Sequence, residues 1–499
     1  MFLAKNEGGL MADVVLVQPI VGLLDNIKTA PSLPLSLLSA VKLVVGEFKV
    51  KLIDQRIDLA WRETLKRELK KKPLLVGTTA MLGPQVEFAY AVGEEVKKWD
   101  PTIPVVWGGS HPSILPEQTI VNPKVDIIVQ RDGEETFLKL CRALKKKKSL
   151  KGIPGLYLKK NGKVVNTGLA PLVDLNKLPD LPYGLVNVND YLQRRGQVLV
   201  LDMETSRGCP YRCRFCYNPH YNLGRWRALK AEIVLERLAF LRKKYNVRGI
   251  FFIDDEFFID LGRARKIIEG LRKMNFSWSI QGVTARSILA MDDEYLRMLE
   301  EAGCEQLNIG AESGSPRILK MVNKGIGVEE ILAVNRKLRP YKIMPWYYFM
   351  IGFPGETKKD AEKTLDLVLR LLEENPRAKI SGIGCFTPYP GTPLFEEAKK
   401  RGFAPPEDLL GWRTFAVDQI NIPWIKGEKK KMVEAVQFTS FFVDQKARDI
   451  ASSPLVRAAA NLYRPFARLR LRRRFWGLPL DIMLGNQIKK KLARERNLL

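Results

Sequence analysis

The chain has no run of 18 or more apolar residues, so the sequence predicts no membrane-spanning helix. Long internal repeats and low-complexity tracts are also missing, which sets aside a repeat architecture. Residues 1–10 are polar and lack the apolar centre of a signal peptide; they read as a lead-in to a first strand that Met11 directly precedes. Acidic residues are scarce against basic ones, 55 against 82, for a net charge of +27. A balance so basic attracts something anionic: nucleic acid, an acidic membrane surface or substrate phosphates. Cysteine is rare too, with six in 499 residues. Yet Cys209, Cys213 and Cys216 fall within eight positions. Without a secretion signal, such clustering reads as a metal or redox site rather than a disulfide framework. Cys304 and Cys385 are isolated and read as core residues.

What is present is the pattern of a folded protein, 46% hydrophobic and 27% charged, long enough for two or three domains. Residues 13–19, 48–54, 74–80, 104–109 and 125–129 read as short strands. Helical stretches separate them, as at 35–45, 61–72 and 85–99. Strands alternating with helices predict a parallel, Rossmann-like sheet over residues 11–150. Ligands of such sheets sit at the carboxyl ends of the strands, which here carry Thr78, Thr79, Gly108, Gly109, Ser110 and His111. A strand pair at 155–159 and 163–166 opens a proline-bearing stretch, 151–197, read as a linker. A second alternating series fills 198–410, with strands at 198–205, 249–254, 278–282, 306–310, 346–351 and 380–386. About six strand–helix units predict a partial parallel barrel, not a closed eight-stranded one. Residues 411–499 read as a mainly helical basic region.

The cysteines lie in Ser206-Arg-Gly-Cys-Pro-Tyr-Arg-Cys-Arg-Phe-Cys-Tyr217, on a loop at a strand's carboxyl end. Three thiolates so close can hold three irons of one four-iron cube and leave the fourth iron open to a small molecule. The competing reading is zinc in a Cys3His set completed by His220. All the ligands would then crowd one loop, whereas zinc sites usually use two separated pairs.

This spacing, with Phe215 before the third cysteine, resembles the signature of the radical S-adenosylmethionine (SAM) superfamily. The resemblance spans roughly residues 200–400. It includes Phe252-Ile-Asp-Asp-Glu256, Gly310-Ala-Glu-Ser-Gly-Ser315 and Gly352-Phe-Pro-Gly-Glu-Thr357. It implies a [4Fe–4S] cluster on Cys209, Cys213 and Cys216 whose open iron takes the amino and carboxylate groups of SAM. An external one-electron reductant then drives cleavage to a 5′-deoxyadenosyl radical. It further implies Phe215 or Tyr217 near the adenine, Glu312 and Ser313 near the ribose or methionine, and Arg286 on the SAM carboxylate. For Glu312, a helix N-cap carboxylate is the plainer alternative.

Ahead of such a core, residues 13–140 resemble the cobalamin-binding domain of the B12-binding radical SAM class. The match rests on Val106-Trp-Gly-Gly-Ser-His-Pro-Ser113, residues 125–129 and Asp132-Gly-Glu-Glu-Thr136. Many cobalamin proteins ligate cobalt with the histidine of an Asp-x-His-x-x-Gly motif. Here the second strand ends in Asp54-Gln-Arg-Ile-Asp58, so that ligand is lacking. Arg131-Asp132 also replaces the Gly-Glu of many relatives. A Rossmann-like docking domain without cofactor is the alternative.

In the tail, Arg470, Arg472, Arg473 and Arg474 stand beside Phe475, Trp476, Leu478 and Leu480. Interleaved arginine and apolar residues suit an interfacial helix on anionic lipid better than nucleic acid. A core-packed helix with a solvated basic face is the plainer alternative. The expectation is therefore a cytoplasmic radical SAM enzyme, peripheral on the inner face of the membrane, that uses cobalamin to methylate an unactivated carbon of a small hydrophobic substrate such as a lipid or tetrapyrrole. Radical ring formation or another carbon–carbon bond step is the rival. A methylthiolating enzyme acting on RNA would need a second cysteine cluster near the N-terminus, where only Cys141 lies. A non-enzymatic zinc or iron–sulfur module on nucleic acid is the alternative of another class.

Overall fold

The computed structural model describes residues 12–22, 25, 29–160, 162–416, 419–447 and 454–477. The lead-in at residues 1–11 and the tail residues Leu478 and Leu480 lie outside these. The chain divides into two compact units, residues 1–194 with 406–415, and residues 195–405 with 416–499.

The first unit is built on strands β1 (Val14–Gln18), β2 (Val50–Asp54), β3 (Leu75–Thr79), β4 (Val105–Gly108), β5 (Ile127–Val129), β6 (Leu156–Lys160) and β7 (Lys163–Asn166), in sheet order β2-β1-β3-β4-β5-β6-β7. The first five run parallel, and β6 and β7 add antiparallel at one edge. β1, β3 and β5 are buried along their whole length. Such strands read as unbroken apolar runs because helices cover both faces of the sheet. Helix Gln85–Trp99 turns Val86, Ala89, Val92 and Val96 inward at helical spacing.

Residues 151–197, expected as a linker, belong largely to this unit. The hairpin β6–β7 extends its sheet, and the buried Tyr191 donates to Asp54 at 3.0 Å. The segment 406–415, beyond the second alternating series, joins this unit as well. Gln118 clamps it, donating to the Pro406 carbonyl and accepting from Trp412 Nε1 at 2.6 Å. Trp412 is fully buried against Phe415, with His111 at its edge. Gly83 makes room: a Cβ there would lie 2.5 Å from the Phe415 carbonyl oxygen. Removing a buried indole costs about 3–5 kcal/mol. Trp412→Ala is therefore expected to lower the unfolding midpoint and open the segment to protease, as limited proteolysis with mass mapping would show.

The second sheet has seven strands, an edge strand Gln193–Arg195 and six parallel strands in sequence order: β8 (Val198–Met203), β9 (Gly249–Phe252), β10 (Ser277–Val283), β11 (Cys304–Glu312), β12 (Met344–Ile351) and β13 (Lys379–Cys385). An unbroken order of strand–helix units winds a sheet one way, as in a barrel left open. Apolar helix faces cover it, for example Ala264, Ile267, Ile268 and Leu271 of Leu261–Lys273. The carboxyl ends of β8 to β13 gather at one rim, where the cysteine loop lies. No helix among the described residues is long and apolar enough to cross a membrane.

Candidate active site at the cysteine loop

The loop leaves β8 and is fixed from below by the end of β9. Asp254 accepts from the Thr205 amide and hydroxyl and from the Ser206 hydroxyl at 2.5 Å. Asp255 accepts from the Gly208 amide at 2.8 Å. Glu256 accepts from the Phe258 and Thr284 amides and from Ser287. Burial raises the Asp254 carboxyl to about 6 and that of Glu256 to about 7, against the pull of these donors. Gly208 is required by space: its φ is +89°, and a Cβ would fall 1.9 Å from the Arg225 carbonyl oxygen. From the other side, the Arg214 amide bonds the Val322 carbonyl, Asn323 bonds the Arg212 carbonyl, and the Leu394 amide bonds the Arg214 carbonyl. Backbone bonds thus anchor the loop at both ends, so it presents its thiols in a set order.

Cys213 and Cys216 line a cavity of about 270 Å³ together with Arg212, His220, Gly391 and Pro393. Cys209 is close enough to both to interact electrostatically. All three are partly buried and unpaired by disulfide. Burial pushes the Cys209 and Cys216 thiols up to about 12 and raises Cys213. Such thiols ionise when a metal takes the place of the proton. One zinc ion needs its ligands gathered about a single point. A four-iron cube places each thiolate on a separate iron. The donor set, three thiols on one anchored loop beside a cavity, fits that cube.

The remaining residues expected at this site are placed as follows. Phe215 packs edge-on to Phe353 at 6.5 Å, against the core of Ile318, Val322, Phe386 and Leu394. Tyr217 stacks on Tyr389 at 5.9 Å and is half-buried. Arg286 lies on the short helix Ala285–Leu289 after β10, donates to the Gly325 carbonyl at 2.7 Å and sits 5.1 Å over the Tyr211 ring. Glu312 ends β11 at a bulge, with φ +63°. Its carboxylate is ion-paired to Lys324 at 2.8 Å, both side chains 9% exposed. Gly310 lets the pair form, since a Cβ there would meet Glu312 Oε1 at 2.4 Å and Lys324 Nζ at 2.8 Å. Cys213 feels Lys324, Glu312 and Arg286 in that order. Ser313 is fully buried, bonding Thr364 at 3.0 Å and the Ser315 amide; its hydroxyl braces the loop that follows β11. The helix cap there is Ser315, which accepts from Ile318, so Glu312 is not the N-cap.

Lys324 is the residue that sequence reasoning missed. It follows helix Pro316–Met321 by a turn in which Asn323 is left-handed at φ +53°. No local pattern announces that this lysine folds back onto a carboxylate twelve residues earlier.

In the first unit, Thr78 donates to the Val17 carbonyl at 3.0 Å. Gly109, at φ +98°, closes over Thr79; a Cβ would lie 2.5 Å from its hydroxyl oxygen. Ser110 opens the short helix Ser110–Ile114. His111 is 1% exposed, and burial lowers its imidazole to about 3. Both of its ring nitrogens, Trp107 Nε1 and Gln130 Oε1 are buried with no partner in the protein. Polar atoms left in this state at the carboxyl ends of β4 and β5 favour a polar guest, and so fit a corrinoid. Arg56 stands where a cobalt-binding histidine would follow Asp54. It donates to Asp54 at 2.6 Å and to the Ser32 carbonyl at 2.9 Å. A guanidinium has no lone pair to give, so this position supplies no cobalt ligand.

A model of the radical SAM superfamily matches residues 203–368, and one of the B12 binding domain matches residues 31–140. An uncharacterised methyltransferase of Pyrococcus horikoshii is 33% identical over 73% of this chain and 78% of its own length. The anaerobic magnesium-protoporphyrin IX monomethyl ester cyclase of Cereibacter sphaeroides is 27% identical over 70% of this chain and 57% of its own. The bacteriochlorophyllide d C-12(1)-methyltransferase of Chlorobaculum tepidum is 26% identical over 74% and 75%. Among solved structures, the cobalamin-dependent SAM radical enzyme OxsB with aqua-cobalamin bound superposes with a TM-score of 0.73 at 20% identity, over 98% of this chain and 76% of that one; it shares the fold. The chain belongs to the cobalamin-dependent, B12-binding class of the radical SAM superfamily, with a [4Fe–4S] cluster, SAM and cobalamin as its cofactors.

Proposed function

We propose that this enzyme methylates an unactivated carbon of a small hydrophobic substrate of the tetrapyrrole or lipid kind, with the cluster on Cys209, Cys213 and Cys216. When bound, the cluster supplies the electron that splits a carbon–sulfur bond of SAM to give the 5′-deoxyadenosyl radical, and cobalamin supplies the methyl group. The chain's own residues do the rest. The three thiolates hold the cube and leave one corner open. Lys324 and Arg286 put positive charge beside Cys213, where the carboxylate of SAM is expected. Phe215 and Tyr217 offer ring surfaces for the adenine, and Glu312 the polar contact for the ribose or methionine. In the first unit, Thr78, Thr79 and the Gly108–Gly109 turn with Ser110 and His111 would cradle the corrinoid.

The observation that carries this reading is the pairing of one cysteine loop with a cysteine-poor B12-type domain. Cys141 is the one cysteine of the first unit and is buried, so methylthiolation through a second cluster has no ligands there. Anaerobic reconstitution tests the reading: stoichiometric cobalt alongside iron, and transfer of label from methyl-labelled SAM to an added tetrapyrrole, are expected. Iron-loaded protein that binds no corrinoid would remove methyl transfer. The resemblance to the magnesium-protoporphyrin cyclase keeps ring formation as a second reading; it predicts 5′-deoxyadenosine without label in the product. Cytoplasmic localisation with peripheral contact at the membrane's inner face completes the proposal.

Glu356 gives the second unit a pH signature. Its carboxyl accepts from the Gly352 amide and is raised to about 7 by burial. An unfolded glutamate titrates near about 4.3. Between those values the native state keeps a proton that the unfolded state has lost, so stability falls as pH rises. Glu356→Gln is expected to flatten this slope, measured as denaturation midpoints at acid and neutral pH.

A further inference from the structure

We infer that Trp424, on the segment that follows the barrel, is a positioning residue for the adenosyl end of SAM. This rests on the placement of the adenine at Phe215 proposed above. Phe215 packs edge-on to Phe353 at 6.5 Å, and Phe353 lies against Phe386 at 5.3 Å. Phe353 and Phe386 are fully buried and belong to one apolar cluster, on which Phe215, Met350 and Trp424 rest half-buried. Backbone bonds join that cluster to the cysteine loop. The Arg214 amide donates to the carbonyl of Val322, and the amide of Leu394 donates to the Arg214 carbonyl; Val322 and Leu394 are both cluster members. Close-packed side chains pass a displacement on to their neighbours. A shift of Phe353 therefore reaches Phe215, which stands between Cys213 and Cys216.

Phe353 sits in the loop Gly352–Glu356 that follows β12, and side chains from residues 422–429 hold that loop at both ends. Trp424 Nε1 donates to the Gly352 carbonyl at 2.9 Å, and Lys429 of helix Gly427–Ser440 donates to the Glu356 carbonyl at 3.1 Å. Gly352 is left-handed at φ +88°, and the buried Ile422 and Ile425 crowd it: a Cβ there would lie 3.3 and 3.7 Å from their Cδ1 atoms. Trp424 is the residue that joins the two parts. Its N–H fixes the peptide that leads into Phe353, and its ring braces the cluster to which Phe353 belongs. An indole spends its one donor in a single direction, so this contact sets the angle of the loop as well as filling space. Ligand sites depend on such support, because their groups must be held to within about 0.5 Å.

The test is calorimetric titration of SAM into the full chain, iron-loaded under anaerobic conditions. Trp424→Phe keeps a ring and drops the N–H, and should bind SAM about fivefold more weakly; Trp424→Ala should bind it about tenfold more weakly or worse. Iron content should stay at the parent's level in both. Methionine offers the amino and carboxylate groups of SAM without the adenine. Its effect on the electron paramagnetic resonance spectrum of the reduced cluster should therefore match the parent's in both variants. Parental SAM affinity in Trp424→Ala overturns the proposal. So does an iron content or a methionine response that falls in step with SAM affinity, since Trp424 would then support the fold alone. Phe215→Leu separates the proposal from the reading beneath it. Weak SAM binding there, with parental binding in Trp424→Ala, sinks only the role of Trp424. Parental binding in Phe215→Leu removes the adenine from that ring, and the positioning role with it.

Discussion

Replacing any one of Cys209, Cys213 or Cys216 by alanine should abolish 5′-deoxyadenosine formation by the reduced, iron-loaded protein while leaving the fold intact. The reasoning is geometric. The loop is held by backbone bonds from Gly208, Arg214 and the Arg212 and Arg214 carbonyls, none of which passes through a thiol. Deleting one sulfur therefore removes a ligand and, at Cys216 alone, one long bond from the Asn218 amide at 3.4 Å. A cube with two protein ligands loses its defined open corner, and with it the site where SAM is chelated. The expected loss is at least about 10³-fold, the scale at which removing an essential group leaves only background. Iron analysis and chromatography of the SAM cleavage products measure it. Cys304 and Cys385 are buried cysteines of the β11 and β13 strands, and their serine variants should keep full iron content.

Lys324→Met should have the next largest effect. Lys324 and Glu312 are both nearly excluded from water and 2.8 Å apart. Burial alone would lower the lysine; Glu312 and then Cys213 override it and hold the ammonium above its ordinary range. A raised lysine contributes stability that is complete below its unfolded pKa and is lost only at more alkaline pH, so the pair is intact across the neutral range. Removing one partner of a buried pair costs about 3–5 kcal/mol, because the other charge is left without compensation. Lys324→Met/Glu312→Gln removes both charges and should recover most of that stability. The two roles then separate. If the pair serves only the fold, the double variant regains SAM binding together with stability. If Lys324 also faces the SAM carboxylate, the double variant is stable and yet binds SAM weakly, as titration calorimetry with the iron-loaded protein would show.

The elements of the fold were legible wherever periodicity was strong. Helix Gln85–Trp99 and the parallel strands of both sheets fall within a few residues of expectation, since parallel strands covered on both faces carry unbroken apolar runs; the edge strand Gln193–Arg195, polar and three residues long, fell in the stretch read as a linker. That Cys209, Cys213 and Cys216 come near one another was legible because they fall within eight positions of one loop. Segment 406–415 was not, because its docking depends on Trp412 and Gln118, nearly three hundred residues apart. Lys324 escaped for a similar reason: its partner lies across a helix and a left-handed turn. Ser313 was expected near the ribose or methionine from the family resemblance; that its hydroxyl bonds Thr364 of helix Lys358–Glu374 could not be read from its neighbours in the sequence. The tail read correctly as basic and apolar in composition. That Arg470 turns inward to the carbonyls of Phe475 and Gly477 is a tertiary detail that composition cannot register.

On this reading SAM cleavage at the Cys209 loop works together with a corrinoid held by the first unit of the same chain. The most direct measurement is simultaneous quantification of iron, cobalt and 5′-deoxyadenosine in protein reconstituted anaerobically with cobalamin, compared with Gly109→Trp, which fills the turn above Thr79. Stoichiometric cobalt and SAM cleavage are expected in the parent, and in the variant lost cobalt with iron and cleavage retained. Cobalt retained in the variant, or absent from the parent, would contradict it.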